Sequence, residues 1–360
     1  MSSSVKSQPQ IKADETTQLI PFQNCSMGHL PLAEMQKIHE VCMQLLSHPP
    51  QDASTQSNGC ARSIHCTRQH AYVRASIKKG DPLLGKGTFK SVKDTIMYTP
   101  GKDPEVIVDA ATKRQPQATD QQWAEIQRDS LREVVFMHKF DNNSHFLQVY
   151  DTYEKHNKVH VFMEKCESDL AKKVQEGTLS AQQKHQIAEE IVEGIRALHQ
   201  QGIYHLDIKP ENILITQEGH AKIADLGLAC SSDEIHQANT LKGSPRYFSP
   251  ERSRLFMQLK AGQSITEQQI QRTIPQADAW AMGVTLYGLL SAPSATPFLN
   301  NKLPHNSTSK YFDEQVNLLI TSNIPQEYQP LLRGLLQHNP TKRISPEEAL
   351  KHLTQVREEK

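Results

Sequence analysis

Residues 204–215 read Tyr-His-Leu-Asp-Ile-Lys-Pro-Glu-Asn-Ile-Leu-Ile, the most informative stretch of the chain. It places a carboxylate (Asp207), an ammonium (Lys209) and a carboxamide (Asn212) within six positions, ahead of an apolar run. A carboxylate can accept a proton from a hydroxyl, an ammonium can balance negative charge, and an amide oxygen can bind a metal ion. The alternative interpretation of the same residues is a surface turn between a helix and a strand.

The stretch resembles the catalytic loop of the protein kinases, H-R-D-L-x-x-x-N. The resemblance implies that Asp207 orients the attacking hydroxyl and accepts its proton, that Lys209 steadies the γ-phosphate, and that Asn212 holds magnesium. Leu206 stands where the family has arginine. Lysine two residues after the aspartate is the pattern of the serine/threonine kinases, so the chain resembles the eukaryotic-type, serine/threonine-specific members of the superfamily.

A second motif, Ala-Asp-Leu-Gly at 224–227, places Asp225 eighteen residues beyond Asp207. The short apolar runs before it predict two hairpin strands, which would return Asp225 to the side of Asn212. Both residues could then hold Mg²⁺, with Mn²⁺ as a substitute. The motif resembles the D-F-G of the kinases with leucine in place of phenylalanine. The resemblance also assigns Leu214, on the first of these strands, to the nucleotide site.

A third motif, Leu-Gly-Lys-Gly-Thr-Phe-Lys-Ser-Val at 84–92, resembles the glycine-rich loop G-x-G-x-x-G-x-V. Gly85 and Gly87 would bring backbone N–H groups close over phosphates, because no Cβ intervenes. Lys90 replaces the third glycine of the family. The resemblance places Val92 against the adenine of ATP. A plain hairpin tip is the alternative for this segment.

The β-branched run 106–113 ends in a lysine and predicts a strand. Ala111 and Lys113 resemble the A-x-K of the third kinase strand, where the alanine leaves room for adenine and the lysine reaches the α- and β-phosphates. Glu133, twenty residues beyond Lys113 on a predicted helix, is the expected anionic partner of the lysine. The alternative for Glu133 is a solvated position on the helix face.

Segment 243–251 resembles the substrate-docking segment that ends in A-P-E, here Ser-Pro-Glu. The resemblance places the Ser244 hydroxyl on the catalytic aspartate and lysine, and it pairs Glu251 with a buried arginine, for which Arg343 fits. Asp278 resembles the aspartate of D-x-W-x-x-G, which opens the central helix of the large lobe. Glu251 and Asp278 are farther apart than is usual in the family, so we expect an insertion over about 255–275. Its residues predict a helix that begins at Ser264 or Thr266.

Composition limits the partners of the chain. Lys and Arg number 40, Asp and Glu number 40, and the formal net charge is zero, which favours neither nucleic acid nor an anionic membrane. The apolar run 279–290 is too short to span a bilayer and predicts a buried helix. The N-terminus lacks the apolar core of a secretory signal. We expect a cytoplasmic protein, or one delivered into a host cytosol if it is a bacterial effector, with free thiols and no membrane segment.

Domain organisation follows from these motifs. Residues 1–75 are expected to form an N-terminal extension that is partly disordered, with one amphipathic helix over 31–47 that docks on the core or binds a partner. Residues 76–356 are expected to form the kinase domain, with a small lobe over 76–168 and a large lobe over 169–356. The insertion is expected either to shape substrate recognition or to be a tolerated surface feature.

Together, the motifs predict an α+β, bilobal protein-kinase-like fold, with a small antiparallel-sheet lobe and a larger, mainly helical lobe. The implied activity is transfer of the γ-phosphoryl group of ATP to Ser or Thr hydroxyls of a protein substrate, with magnesium. Since Leu206 cannot bind phosphate, we expect activity that does not need activation-loop phosphorylation. The alternatives are a pseudokinase scaffold and a small-molecule kinase of related fold.

Overall fold

The computed structural model describes residues 60–66, 71–76, 85–86, 90–98, 105–154, 157–237, 242–291 and 309–358. The helix expected over 31–47 and the expected phosphate-loop residue Gly87 lie outside these ranges. The chain divides into two compact units, Met1–Arg114 with Tyr153–Lys165, and Gln115–Thr152 with Cys166–Lys360. The domain boundaries given above at 75, 168 and 356 stay predictions.

The first unit is built on an antiparallel sheet. Its strands are β1 (Cys60–Cys66), β2 (Ala71–Ser76), β3 (Gly85–Lys86), β4 (Lys90–Tyr98), β5 (Glu105–Lys113) and β7 (Lys158–Met163), while β6 (Val149–Glu154) begins in the second unit and ends in the first. Within this unit the order is β1-β2-β4-β5-β7, and β3 pairs with β4. The pairing of β3 with β4 sets Gly85 opposite Val92, as a strand-turn-strand requires.

Strand β5 lies inside this sheet, between β4 and β7, and its residues 107–112 are buried without interruption. Continuous burial shows that both faces of the strand are covered, which explains why its sequence is a β-branched and alanine run without alternation. Ala111 lies opposite Ser91 on β4 and opposite His160 on β7. Lys113 ends the strand and is exposed.

The second unit is mainly helical. Its helices are α1 (Asp120–His138), α2 (Leu170–Glu176), α3 (Ala181–Gln200), α4 (Pro250–Lys260), α5 (Glu267–Leu290), α6 (Ser309–Asn323), α7 (Gln329–Leu335) and α8 (Pro346–Glu358). Its short strands are β8 (Ser168–Asp169), β9 (Ile203–Tyr204), β10 (Ile213–Ile215), β11 (Ala221–Ile223) and β12 (Cys230–Ser231). Sheet and helices are thus segregated, as an α+β fold requires.

Helix α3 contacts β9, which leads into the stretch 204–215, and also β11. It begins with a capping box in which the Ser180 hydroxyl accepts from the backbone N–H of Gln183 and the Gln183 side chain accepts from that of Ser180. Its apolar residues recur at helical spacing and are fully buried: Ile187, Ile191, Ile195 and Leu198. The chain leaves this helix and enters β9, which delivers it directly to His205.

The insertion expected over 255–275 is helical at both ends. Its first residues complete α4, and Thr266 then caps α5 through a capping box with Gln269, which confirms a helix start at Thr266. The prediction that Asp278 opens the central helix is wrong. Asp278 lies eleven residues inside α5, because the cap at Thr266 and the buried Ile270 and Ile274 begin the helix three turns earlier.

Nearly every residue of 279–290 is buried inside the second unit, which confirms the expected buried helix. No helix among the described residues combines the length and apolarity needed to cross a bilayer.

Candidate active site

Strands β10 and β11 bring the two expected metal ligands together. They pair antiparallel, with Ile213 opposite Ile223, and both isoleucines are buried. At the open end of the hairpin the backbone N–H of Ala224 donates to the carbonyl of Asn212 at 3.0 Å. Asp225 therefore follows directly beside Asn212, and the hairpin expected from the sequence is present.

The carboxylate of Asp207 is the centre of a hydrogen-bond cluster. Its Oδ2 accepts from Lys209 Nζ at 2.6 Å and from Asn212 Nδ2 at 3.1 Å. Its Oδ1 accepts from the backbone N–H of Ser244 at 2.9 Å. Lys209 Nζ also donates to Ser244 Oγ at 2.9 Å. The three residues expected to be catalytic, Asp207, Lys209 and Ser244, thus meet in one place, and Asp207 Oδ1 keeps a lone pair for a further donor.

Asn212 is oriented so that its amide oxygen is left for a cation. Its Nδ2 donates both to the backbone carbonyl of Asp207 at 2.9 Å and to Asp207 Oδ2, so both amide protons are used. Asp225 has a positive φ of 61° and an exposed side chain. An amide oxygen beside an exposed carboxylate is a donor set that suits Mg²⁺ or Mn²⁺, since both prefer hard oxygen ligands.

The 3₁₀ turn Leu226–Leu228 anchors Asp225 from the other side. Leu226 is fully buried, and helix α1 contacts this turn. The family's phenylalanine has been exchanged for another apolar side chain that is still buried. The exchange therefore keeps the packing that holds Asp225.

Asp278 holds the backbone of the catalytic loop. Its carboxylate accepts from the N–H of His205 at 2.7 Å, from the N–H of Leu206 at 2.9 Å and from His199 Nε2 at 3.2 Å. Burial raises the pKa of this carboxyl, but the His199 contact, the field of His205 and the Leu206 N–H outweigh it, and the net pKa is lowered. An ionised carboxylate with three donors fixes the loop just before Asp207.

Leu206 lies in an apolar cluster. It is 3% exposed and packs with Cys230, Ile235, Ile270 and Ile274, with Tyr204 and Ile265 at the edge. We call this group the Leu206 cluster. Burial raises the pKa of the Cys230 thiol to about 12, as an apolar setting requires.

Two of the five buried residues of the Leu206 cluster, Ile270 and Ile274, come from the insertion. Ile270 and Ile274 stand four residues apart on α5, so both face the cluster. A tolerated surface feature is excluded for this part of the insertion, because it is core. Leu206 itself has a positive φ of 67°, which disfavours a side chain with a Cβ and persists because packing and Asp278 determine it.

The predicted ion pair of the docking segment is present. Arg343 Nη1 donates to Glu251 Oε1 at 2.8 Å and Nη2 to Oε2 at 3.2 Å, a bidentate contact between buried side chains. The pair fixes the start of α4, and hence the end of the segment that carries Ser244.

Two ion pairs that the sequence did not indicate join α1 to the segment after Asp225. Arg132 on α1 donates to the Glu234 carboxylate, which also accepts from Ser231 Oγ at 3.2 Å. Asp129, one turn earlier, pairs with Lys242 Nζ at 2.6 Å. Neither Glu234 nor Lys242 belongs to a motif, and contacts between residues about a hundred positions apart leave no local signal in the sequence.

The expected nucleotide residues lie partly in each unit. Gly85, Ala111 and Lys113 stand on the sheet of the first unit, where Val92 is half-buried. Leu214 is half-buried on β10 in the second unit. Glu133 on α1 is only 7% exposed, which excludes the solvated helix-face alternative. Its pairing with Lys113 stays a prediction.

Comparison with known proteins agrees with this geometry. The family model for the protein kinase domain matches residues 79–353, more than half of the chain. A probable serine/threonine-protein kinase of Dictyostelium discoideum is 28% identical over 273 residues, which cover 75% of this chain and 36% of that protein. The serine/threonine-protein kinase cds1 of Schizosaccharomyces pombe is 29% identical over 286 residues, with 75% and 56% covered.

Human NUAK family SNF1-like kinase 1 is 27% identical over 272 residues, with 75% of this chain and 37% of that protein covered. The chain thus spans between about a third and a little over half of the length of the curated relatives it matches. The match confirms the resemblance to eukaryotic-type serine/threonine kinases and the α+β kinase fold. The chain belongs to the protein kinase domain family.

Proposed function

We propose that the protein transfers the γ-phosphoryl group of ATP to serine or threonine hydroxyls of a protein substrate. The observation that carries the proposal is the convergence of Lys209, Asn212 and the Ser244 N–H on the Asp207 carboxylate. The serine/threonine kinases among the relatives support the choice of acceptor. Segment 243–251, held by the buried Glu251–Arg343 pair, supports a protein rather than a small molecule as substrate.

The chemistry assigns one task to each residue. The substrate hydroxyl donates to Asp207 Oδ1, which accepts the proton as the hydroxyl oxygen bonds to the γ-phosphorus. The bond from the γ-phosphorus to the bridging oxygen breaks, and its electrons stay on ADP. Lys209, which donates to Asp207 and Ser244, places its positive charge beside the phosphoryl group during the transfer.

ATP and Mg²⁺ are the expected cofactors, with Mn²⁺ as a substitute. Asn212 Oδ1 and the Asp225 carboxylate would hold the metal, which when bound neutralises phosphate charge. Gly85, Gly87, Val92, Ala111 and Leu214 would hold the nucleotide, with Lys113 on its phosphates and Glu133 as the partner of Lys113.

The proposal includes activity without activation-loop phosphorylation. In kinases with arginine at the Leu206 position, a phosphate on the activation loop neutralises that arginine and thereby orders the activation loop. Leu206 has no charge to neutralise and is buried in the Leu206 cluster. Glu234 already supplies an anion to Arg132 in the segment that follows Asp225. Ser231, Ser232 and Thr240 remain as acceptors that need not act as the switch.

The test uses γ-labelled ATP, magnesium and a generic basic protein with the full chain and three variants. Asp225→Ala removes a metal ligand and Lys113→Met removes the phosphate anchor, so both should abolish or cripple transfer while the circular dichroism spectrum is kept. Asp233→Ala, which removes an exposed carboxylate nearby, is the matched control and should keep wild-type turnover. Phosphoamino-acid analysis should show phosphoserine and phosphothreonine.

Three outcomes would contradict the proposal. A folded Asp225→Ala protein with wild-type turnover would remove the metal assignment. A folded wild-type chain that transfers no label would leave a pseudokinase scaffold, and label on a small molecule but on no protein would leave a small-molecule kinase.

A further inference from the structure

Arg252 is a buried guanidinium held by carbonyls rather than by a carboxylate. The residue is 3% exposed, and among the described ion pairs it has no carboxylate partner. Its Nη1 donates to the carbonyl of Leu206 at 2.6 Å and its Nη2 to that of Lys242 at 2.7 Å, while Nε has no partner. Burial lowers the pKa of the group to about 10, against the weaker opposing fields of Asp278 and Asp207.

This placement is unfavourable for a charge in two further ways. Arg252 is the third residue of α4, where the helix dipole disfavours a cation. A buried charge without a charged partner costs more solvation than it regains. Arg254, two residues on in the same helix, is exposed. A side chain that stays at such a site needs a compensating role.

The two carbonyls that it binds belong to the two segments that build the site. Leu206 immediately precedes Asp207, and Lys242 lies two residues before Ser244. Two hydrogen bonds link these segments at the site itself, from the Ser244 N–H to Asp207 Oδ1 and from Lys209 Nζ to Ser244 Oγ. The Arg252 guanidinium therefore links the same two segments at a second place, within two residues of Asp207 and Ser244.

The surroundings of Arg252 are shaped to the guanidinium. The Phe248 ring lies under it, 4.1 Å from Cζ to the ring centroid. Gly243 has a φ of +110°, and a Cβ there would come within 2.9 Å of Arg252 Nη2 and 3.2 Å of the Leu206 carbonyl oxygen. Only glycine at 243 leaves room for the two carbonyls to meet one guanidinium.

We propose that Arg252 is a positioning residue, which holds segment 242–244 on the catalytic loop and so keeps Ser244 on Asp207 without a phosphate. The inference rests on the proposed kinase function and extends it. It names the group that takes over the ordering task from the arginine that Leu206 replaces. Arg252 reaches the backbone of position 206 from α4, instead of reaching a phosphate from position 206.

The test measures kcat, KM for ATP and KM for the protein substrate, using the full chain after phosphatase treatment. Arg252→Met should lower kcat about 10²-fold, the loss expected when a catalytic constellation loosens by about an ångström. KM for ATP should stay within about twofold, because no nucleotide residue is touched. Arg252→Lys keeps the charge but cannot bridge two carbonyls, so its kcat should lie between those of the wild type and Arg252→Met. The matched control, Arg254→Met, should leave kcat unchanged.

Gly243→Ala keeps Arg252 and displaces its guanidinium, so it should show the same loss of kcat with an unchanged KM for ATP. If Arg252→Met fails to fold, Gly243→Ala and Arg252→Lys decide the question. An active wild-type protein whose Arg252→Lys and Gly243→Ala variants keep full kcat would overturn this inference alone. A wild-type protein that transfers no phosphoryl group would overturn the proposed function and this inference with it.

Discussion

Restoring the family's arginine at position 206 should damage this protein. Leu206 is 3% exposed among Cys230, Ile235, Ile270 and Ile274. Burial of a leucine contributes about 1.5–3 kcal/mol, and truncation to alanine in a packed core costs about 2–5 kcal/mol. Leu206→Arg loses the same packing and in addition buries a cation.

We therefore expect Leu206→Ala to lower the free energy of unfolding by about 2–5 kcal/mol and Leu206→Arg to lower it by at least as much. Urea unfolding followed by circular dichroism measures both. Leu318→Arg is the matched control, because the same exchange at a side chain that is 60% exposed should change stability by no more than about 0.5 kcal/mol. A Leu206→Arg protein that unfolds at the wild-type urea concentration would refute the reasoning.

Three further predictions follow from the charges. Asp278→Asn should lower the free energy of unfolding by about 3–5 kcal/mol. Since the pKa of Asp278 is lowered in the folded protein, its carboxylate stabilises the fold fully above the unfolded pKa near 3.9, and this stabilisation is lost as the pH falls further. A difference in melting temperature from wild type that did not shrink below pH 4 would count against this prediction. Arg343→Met should also cost about 3–5 kcal/mol in thermal unfolding by leaving Glu251 buried and unpaired, and adding Glu251→Gln should recover part of the loss, whereas an additive double variant would show no coupling. Glu234→Gln should cost at most about 1 kcal/mol, because Arg132 and Glu234 are half-exposed, and the loss should fade in 1 M salt; an effect insensitive to salt would point to packing instead.

Much of the site could be predicted because its parts are local. The hairpin from Ile213 to Ile223 follows from the apolar run Ile213–Ile215 and the short run Ala221–Ile223, joined by a short turn, and it returns Asp225 to Asn212. The helix start at Thr266 follows from a capping box that spans four residues. In both cases the sequence signal and the structural feature occupy the same short segment.

The rest depends on contacts between distant segments. Arg252 and Arg254 stand in one charged run, Pro-Glu-Arg-Ser-Arg, and only the fold buries the first and exposes the second. Leu206 and Ile274 meet from positions 68 residues apart, so the replacement of arginine could be noticed in the sequence but its new neighbours could not. The continuation of the helix that starts at Thr266 through Pro275 into the run 279–290 was missed for the same reason, since Leu206 and Cys230, which bury Ile270 and Ile274, lie far away in the sequence.

The central claim is that Asp207 stands in a site that is aligned without phosphate. The most direct measurement takes the full chain, removes all phosphate with a phosphatase, verifies the removal by intact mass, and follows initial transfer from γ-labelled ATP and magnesium to a basic protein. We expect phosphoserine and phosphothreonine to form at a rate close to that of the untreated protein, and transfer to be lost in a folded Asp207→Asn variant. A large loss of activity after phosphatase treatment, or equal transfer by Asp207→Asn, would contradict it.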